Sequence, residues 1–233
     1  MRDTNRDYLY LIWKDPKSRR NYTVGKLSRG SSYVFEYCQE YEEAEKVGWE
    51  RLNAFPDDER YESPTLFAAF MSRLPDPKRR DIDNILQKYG LTEFDGFELL
   101  RKSTGRLPID AYEFIDPIFP EDQTITREFY IVGIRHHAGC CGSDCNRLPR
   151  VKEGDEVTLR PEPDNAFDEF ALTVHTQEGE MLGYIPRYYS EGISARLAAG
   201  MTYECEVIEI DHEHNCEVCL KVRLSIPREE PAP

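Results

Sequence analysis

Residues 161–172 read PEPDNAFDEFAL, and this stretch predicts a turn between two strands of the C-terminal half. Proline, asparagine and aspartate favour turns, and Asn and Asp side chains also bind backbone amides within them. The segments at 156–160 and 171–175 have the apolar and β-branched content of strands on either side of the turn. The turn leaves an aromatic ring, Phe167, next to a carboxylate, Asp168, and these two residues are the first candidates for a binding site.

The rest of the C-terminal half predicts more strands and one helix. Strands are expected at 127–135, 201–210 and 216–226, and a helix capped by Ser190 is expected to end at Gly200. In the last strand the apolar residues alternate, which places them on one half-buried face. These residues are Cys216, Val218, Leu220, Val222, Leu224 and Ile226. The expected result is a compact β barrel with one helix.

Three segments in this order, 129–135 (FYIVGIR), 161–172 and 182–187 (LGYIPR), resemble the HIRAN domain. The resemblance covers roughly residues 127 to 226. Members of this family bind the 3′ end of single-stranded DNA in a pocket, and the resemblance implies the same ligand for this chain. By position, it implies that the nucleic-acid-binding residues are Arg135, His136, Phe167, Asp168, Tyr184 and Arg187.

The resemblance also implies a role for each of these side chains. The rings of Phe167, Tyr184 and His136 would stack on bases for ~1–3 kcal/mol each. Arginine pairs with phosphate, which suits Arg135 and Arg187. His136 stands where the family usually has a tyrosine, which weakens the stacking role there.

The role implied for Asp168 is to accept a hydrogen bond from a terminal hydroxyl. A structural interpretation stays open for both turn residues. In that interpretation Phe167 is a core residue that closes the turn, and Asp168 caps backbone amides, as aspartates in turns commonly do.

The N-terminal half predicts a small sheet with helices. Strands are expected at 8–13, 22–27 and 33–37, and residues 29–32 join the last two as a hairpin. Ser63-Pro64 and Asp76-Pro77 each predict the start of a helix, the first running to Leu74 and the second ending near Gly90. A third helix at 97–101 and a returning strand at 111–115 complete the pattern.

This order of hairpin, helices and final strand, at roughly residues 8 to 116, resembles the N-terminal subdomain of HipA-type toxin kinases. The residues that carry the resemblance are VGKLS at 24–28, YVFEY at 33–37, LFAAFMSRLP at 66–75 and FELL at 97–100. An unrelated small α+β module with the same polarity pattern is an equal alternative. The kinase body is absent from the sequence, and a free-standing version of the subdomain acts as an antitoxin partner in that family. The resemblance therefore implies a protein partner that binds residues 1–116.

Net charge limits the kind of nucleic-acid binding that the chain can support. Residues 1–120 carry 19 Lys+Arg and 22 Asp+Glu, whereas residues 121–233 carry 11 and 22, so that most of the net charge of −14 lies in the C-terminal half. Binding along a DNA backbone depends on many Lys and Arg residues that displace counterions. The balance excludes a broad basic groove and leaves a small pocket with a few placed cations.

Two groups of His and Cys residues are candidates for zinc. One contains His136, His137, Cys140, Cys141 and Cys145, and the other contains His212, His214, Cys216 and Cys219. On a strand Cys216 and Cys219 would face opposite sides, which divides the second group. The loop at 139–147 is freer to chelate, but members of the HIRAN family need no metal, so we expect none. Seven cysteines without an export signal suit free thiols in the cytoplasm.

The sequence therefore predicts an α+β protein with no cofactor and no membrane span. The expected domains are a HipA-like module at 1–116, a linker at 117–126, a HIRAN-like domain at 127–227 and a tail at 228–233. The sequence offers no set of nucleophile, base and orienting acid, which favours a non-catalytic binding protein. Single-stranded DNA 3′ ends are the expected ligand, and the alternative is an antitoxin-like partner of a HipA-type kinase.

Overall fold

The computed structural model describes residues 7–18, 20–119, 122, 124–137, 151–211 and 219–227. It divides into two compact units, Met1–Pro117 and Ile118–Pro233. The strands are β1 (Tyr8–Lys14), β2 (Asn21–Arg29), β3 (Tyr33–Tyr37), β4 (Tyr61–Ser63), β5 (Tyr112–Ile115), β6 (Ile125–Tyr130), β7 (Thr158–Pro161), β8 (Leu172–His175), β9 (Met181–Tyr184), β10 (Glu204–Ile210) and β11 (Leu220–Ile226). The helices are α1 (Tyr41–Lys46), α2 (Ala68–Met71), α3 (Ile82–Lys88), α4 (Gly96–Ser103), α5 (Ile134–His137) and α6 (Arg187–Ala198).

The N-terminal unit contains a five-stranded antiparallel sheet in the order β4-β3-β2-β1-β5. The three predicted strands and the hairpin between β2 and β3 are confirmed. The returning strand is confirmed as β5, which pairs with β1 at the edge of the sheet. Strands β1 and β5 are therefore neighbours although about a hundred residues separate them in the sequence.

Aromatic rings fill the core on one face of this sheet. Phe35 lies 4.4 Å from Phe55 and 5.2 Å from Phe70 between ring centroids, and Phe70 lies 5.0 Å from Phe114. Such ring pairs stabilise a core beyond the area that they bury. The core also buries Phe97 of α4.

Two of the helix starts predicted for this unit are wrong. Ser63 belongs to β4, which pairs with β3, and its hydroxyl accepts the N–H of Thr65 in a turn. Helix α2 therefore begins only at Ala68. Asp76 likewise holds a turn by accepting the N–H of Lys78, and α3 begins at Ile82. The predicted end near Gly90 and the third helix, α4, are confirmed.

The C-terminal unit contains two three-stranded antiparallel sheets, in the orders β10-β11-β6 and β7-β8-β9. Two isolated bridges connect their edges, between Val132 and Tyr184 and between Glu156 and Glu206. The described strands thus form two linked sheets and not one continuous closed sheet. The predicted barrel is not confirmed, whereas the mixed architecture with a sheet-rich C-terminal unit is.

Strand β11 has the burial pattern that its sequence predicts. Leu220, Val222, Leu224 and Ile226 are buried, and the residues between them are partly exposed. Cys216 and Val218, which were expected on the same face, lie outside the described residues.

The strand predicted at 127–135 is wrong at its end. Strand β6 ends at Tyr130, and Arg135 belongs to the short helix α5. Gly133 separates the two elements with a φ of 77°, a left-handed conformation that ends the extended backbone.

The predicted helix of the C-terminal unit is α6, and its expected cap is wrong. Helix α6 begins at Arg187, directly after Pro186, so that Ser190 is a buried residue inside the helix. Its predicted end before Gly200 is confirmed. None of the helices in the described part of the chain is long and apolar enough to cross a membrane.

The buried side chain of Arg196, on α6, binds the segment that precedes β6. The guanidinium donates to the carbonyl oxygens of Phe119 and Asp122 and, at 2.8 Å, to that of Gly192. Its burial lowers the pKa of Arg196 below the ordinary value of an arginine. Gly192 faces Ile118, and a Cβ added there would come within 2.8 Å of that side chain.

Candidate nucleic-acid interface

Tyr184 occupies the end of β9, where the second sheet meets the segment after β6. Its N–H donates to the carbonyl of Val132 at 2.9 Å, and the N–H of Val132 donates back at 3.0 Å. This approach requires a glycine beside it, because a Cβ on Gly183 would lie 2.4 Å from the Val132 carbonyl oxygen. Gly183 also has a φ of 151°, which side chains rarely adopt. Close backbone pairing thus fixes Tyr184 at the edge of the sheet.

Histidine 137 on α5 packs against this tyrosine. The rings of His137 and Tyr184 meet edge to face, with 5.3 Å between their centroids. Partial burial lowers the pKa of His137 below 6.5, and the neighbouring His136 lowers it further. Glu162 opposes both effects because its negative charge favours the imidazolium.

The turn between β7 and β8 is held by the side chain of Asn165. Its Oδ1 atom accepts the backbone N–H groups of Phe167 at 3.0 Å and Asp168 at 3.2 Å. Its Nδ2 atom donates to Oε2 of Glu162 at 2.6 Å. One carboxamide therefore satisfies two backbone donors of the turn and one carboxylate beside it.

Glu162 and Asn165 also reach the hydroxyl of Tyr184. Partial burial raises the pKa of Tyr184, and the hydrogen bond to Glu162 raises it further, whereas the hydrogen bond with Asn165 lowers it. These contacts bring the turn and the end of β9 together. Tyr184 therefore lies close to the segment that carries Phe167 and Asp168.

Phe167 projects from this turn into solvent, and its side chain is 86% exposed. The interpretation of Phe167 as a core residue is therefore wrong. Asp168 is half-buried and does cap the turn, because its Oδ1 atom accepts the N–H of Phe170 at 3.0 Å. Its Oδ2 atom lies 2.7 Å from the hydroxyl of Ser190 on α6.

The arginines stand on two different elements at this surface. Arg135 and His136 are exposed on α5, next to His137. Arg187 is exposed at the first position of α6, and its carbonyl oxygen lies 2.7 Å from the hydroxyl of Ser190. Ser190 therefore links the start of α6 to Asp168, although the described contacts do not join the Arg135 and Arg187 side chains to Phe167.

Sequence reasoning missed four residues that hold this surface together, namely His137, Glu162, Asn165 and Ser190. The asparagine could have been found, because an Asn two or three residues before an aromatic in a turn commonly binds the backbone amides that follow it. The sequence indicates His137 only as a metal ligand and Ser190 only as a helix cap. Glu162 had no signal apart from its place at the start of the turn.

Neither of the two candidate zinc groups is complete within the described residues. In the part of the chain that the structure describes, no three His, Cys, Asp or Glu side chains are grouped so as to hold a metal ion. Cys140, Cys141, Cys145, His212, His214 and Cys216 lie outside that part. Cys219 is described and is buried at the base of β11. The expectation that zinc is absent stays a prediction.

Comparisons with known proteins identify the C-terminal unit. Residues 125–227 match the family model of the HIRAN domain, so the chain contains a HIRAN domain there. The match does not extend to the N-terminal half, where the resemblance to the HipA subdomain stays a prediction. A search of curated proteins found no match.

Two solved structures are similar to part of the chain. One is the HIRAN domain of human HLTF, at 14% identity and a TM-score of 0.34, covering 46% of this chain and 80% of that one. The other is a protein from Lactobacillus plantarum, at 20% identity and a TM-score of 0.35, covering 46% of this chain and 97% of that one.

Proposed function

We propose that the HIRAN domain at residues 125–227 binds DNA, and that it does so without catalysing a reaction on it. The observation that carries the proposal is the side chain of Phe167, a phenylalanine that is 86% exposed on a turn held by an internal hydrogen-bond network. Proteins that bind single-stranded DNA stack its bases on aromatic side chains, and each stacked base contributes about 1–3 kcal/mol. An aromatic ring in solvent suits a base that stacks on it.

The surroundings of this ring favour a single-stranded end over a long duplex. Tyr184 and His137 provide further rings beside the turn, and stacking on rings needs bases that are not paired. Arg135 and Arg187, the two cations that the resemblance assigns to this site, are both exposed, which is enough for about two phosphates. The ligand that we propose is the 3′ end of single-stranded DNA, with the rings on the bases and the arginines on the phosphates.

The half-buried carboxylate of Asp168 supports a preference for a free hydroxyl at that end. It is already fixed by the Phe170 amide and the Ser190 hydroxyl, and it can accept a further hydrogen bond from a sugar hydroxyl. A terminal phosphate near this carboxylate would be repelled. We therefore expect an oligonucleotide with a 3′ phosphate to bind more weakly than one with a 3′ hydroxyl.

Fluorescence anisotropy with a 5′-labelled single-stranded oligonucleotide tests the proposal. With about two phosphates neutralised, the slope of log K against log salt should be about −1.4, so that affinity falls about sevenfold between 50 and 200 mM salt. Binding should weaken when the end carries a phosphate or when the oligonucleotide is a blunt duplex. Equal affinity for all three ligands contradicts the end preference, and the lack of any binding at low salt contradicts the function.

Arg187→Ala and Lys152→Ala form a matched pair of variants for this assay. Both remove one exposed cation from the same domain, but Lys152 precedes β7 and has no contact with the turn or α5 among the described hydrogen bonds. We expect Arg187→Ala to weaken binding and to make the salt slope less negative by about 0.7, because one fewer counterion is released. Lys152→Ala should leave both unchanged, and an equal effect of the two variants would indicate binding by net charge alone.

A further inference from the structure

The two rings that the proposed function uses, Phe167 and Tyr184, stand on different segments. Phe167 belongs to the turn after β7, and Tyr184 ends β9. Tyr184 is held by backbone pairing with Val132. Backbone hydrogen bonds beyond β7 and β8 hold the base of the turn, from Glu162 to Ala171 and from Ala171 to Asp168, but the N–H of Phe167 donates to the side chain of Asn165. At Phe167 itself the backbone is therefore held by a side chain, that of Asn165.

A connected set of side-chain hydrogen bonds joins the two segments. Asn165 accepts the N–H groups of Phe167 and Asp168 and donates to Glu162 at 2.6 Å. Glu162 and Asn165 both bind the hydroxyl of Tyr184. Glu162 is itself fixed, because its backbone N–H donates to the carbonyl of Ala171 at 2.9 Å.

Packing of the Phe167 ring cannot replace these hydrogen bonds. The ring is 86% exposed and makes little contact that would hold it in one position. A ring that is free to move loses conformational freedom when a base stacks on it, and that loss reduces affinity. A ring whose backbone is held before binding avoids part of the loss.

We propose that Glu162 and Asn165 are a positioning pair, which holds Phe167 and Tyr184 as one stacking surface for unpaired bases. This inference rests on the proposed function, and neither residue needs to touch DNA. The pair works through complementary chemistry, with a carboxamide that donates and a carboxylate that accepts. Exchange of the two groups should preserve the link, whereas a change to one of them should break it.

Three variants test the exchange. Asn165→Asp keeps an oxygen for the turn amides but removes the Nδ2 donor and places two carboxylates side by side. The affinity for a single-stranded oligonucleotide should fall about 10- to 150-fold, the range for a hydrogen bond to a charged group. The double variant Glu162→Gln/Asn165→Asp restores a donor opposite an acceptor, and its affinity should return to within about threefold of the unmodified protein.

Ala166→Asp is the control for charge, because it adds the same negative charge to an exposed position of the same turn without changing the pair. It should weaken binding much less than Asn165→Asp. If the two variants lose affinity equally, or if the double variant is no better than Asn165→Asp alone, repulsion or structural damage accounts for the loss and the positioning pair is wrong.

Amide hydrogen exchange without DNA separates this inference from the proposed function. The Phe167 and Asp168 amides should exchange faster in Asn165→Asp and slow again in the double variant, with thermal unfolding of the domain nearly unchanged. Unchanged exchange in Asn165→Asp overturns the link whether or not DNA binds. A full exchange response in a protein that binds no oligonucleotide overturns the DNA-binding function, and with it the role of the pair in stacking.

Discussion

Replacement of Phe167 by alanine should separate binding from stability. Full burial of a phenylalanine contributes about 1.5–3 kcal/mol, and only about 14% of this side chain is shielded from solvent, so the variant should lose about 0.2–0.4 kcal/mol of unfolding free energy. For a domain of this size that is about 1–3 °C in melting temperature. Loss of one stacked base should cost about 1–3 kcal/mol of binding, or roughly 5- to 150-fold in Kd.

Two other phenylalanines of the same domain are matched controls. Phe129 is only 3% exposed in β6, and its replacement by alanine should cost about 3–5 kcal/mol of stability. Phe170 is 38% exposed in the same turn, so that its truncation tests whether any aromatic there supports binding. Calorimetric melting and oligonucleotide anisotropy would be measured on all three variants. A Phe167→Ala protein that loses more than about 2 kcal/mol of stability, or that keeps its full affinity, refutes the reasoning.

Two further predictions concern the residues around Tyr184. Gly183→Ala should cost at least about 2 kcal/mol of unfolding free energy, because the added Cβ is strained at a φ of 151° and meets the Val132 carbonyl oxygen at 2.4 Å. Gly154→Ala is the control, because its backbone is strained at a φ of 88° but a Cβ there meets nothing within 4 Å. An equal loss of stability in both variants during urea unfolding would show that the close approach is unimportant. By NMR titration, His137 should have a pKa below 6.5, and Glu162→Gln should lower it further by removing a charge that favours the imidazolium. Because its pKa is depressed in the folded protein, His137 binds more protons in the unfolded chain than in the folded one. The stability that His137 contributes should therefore be present above pH 6.5 and should fall as the pH drops below it. A measured pKa above 6.5 would contradict the packing of His137 against Tyr184.

Alternation of apolar residues predicted strands well, whereas local start signals predicted helices poorly. In β11 every second side chain is buried, and this pattern depends only on the two-residue period of a strand. Ser63 and Asp76 both have the chemistry of helix caps, and both use it to hold turns. The difference arises because residues 61–63 pair with β3, a contact over about thirty residues that no local signal contains.

The candidate site was predictable where it depends on the turn and not where it depends on α5. In the structure Tyr184 contacts the turn that carries Phe167 and Asp168, through Asn165 and Glu162. The resemblance to the HIRAN domain assigns His136 by position, and the strand predicted at 127–135 ends just before it, whereas the structure has helix α5 there. Successive residues of a helix point about 100° apart, so the change from strand to helix places His137 against the tyrosine.

The hydrogen bonds of Arg196 to residues 118–122 determine where the N-terminal boundary of the domain lies. The family match starts at Ile125, yet two of the carbonyl oxygens that receive the buried guanidinium belong to Phe119 and Asp122. A fragment that begins at Ile125 would keep the buried guanidinium of Arg196 but lose these two hydrogen-bond acceptors. An uncompensated buried charge costs several kcal/mol of stability. The piece that can be grafted onto another protein, or exchanged between genes as a working module, therefore starts at Ile118.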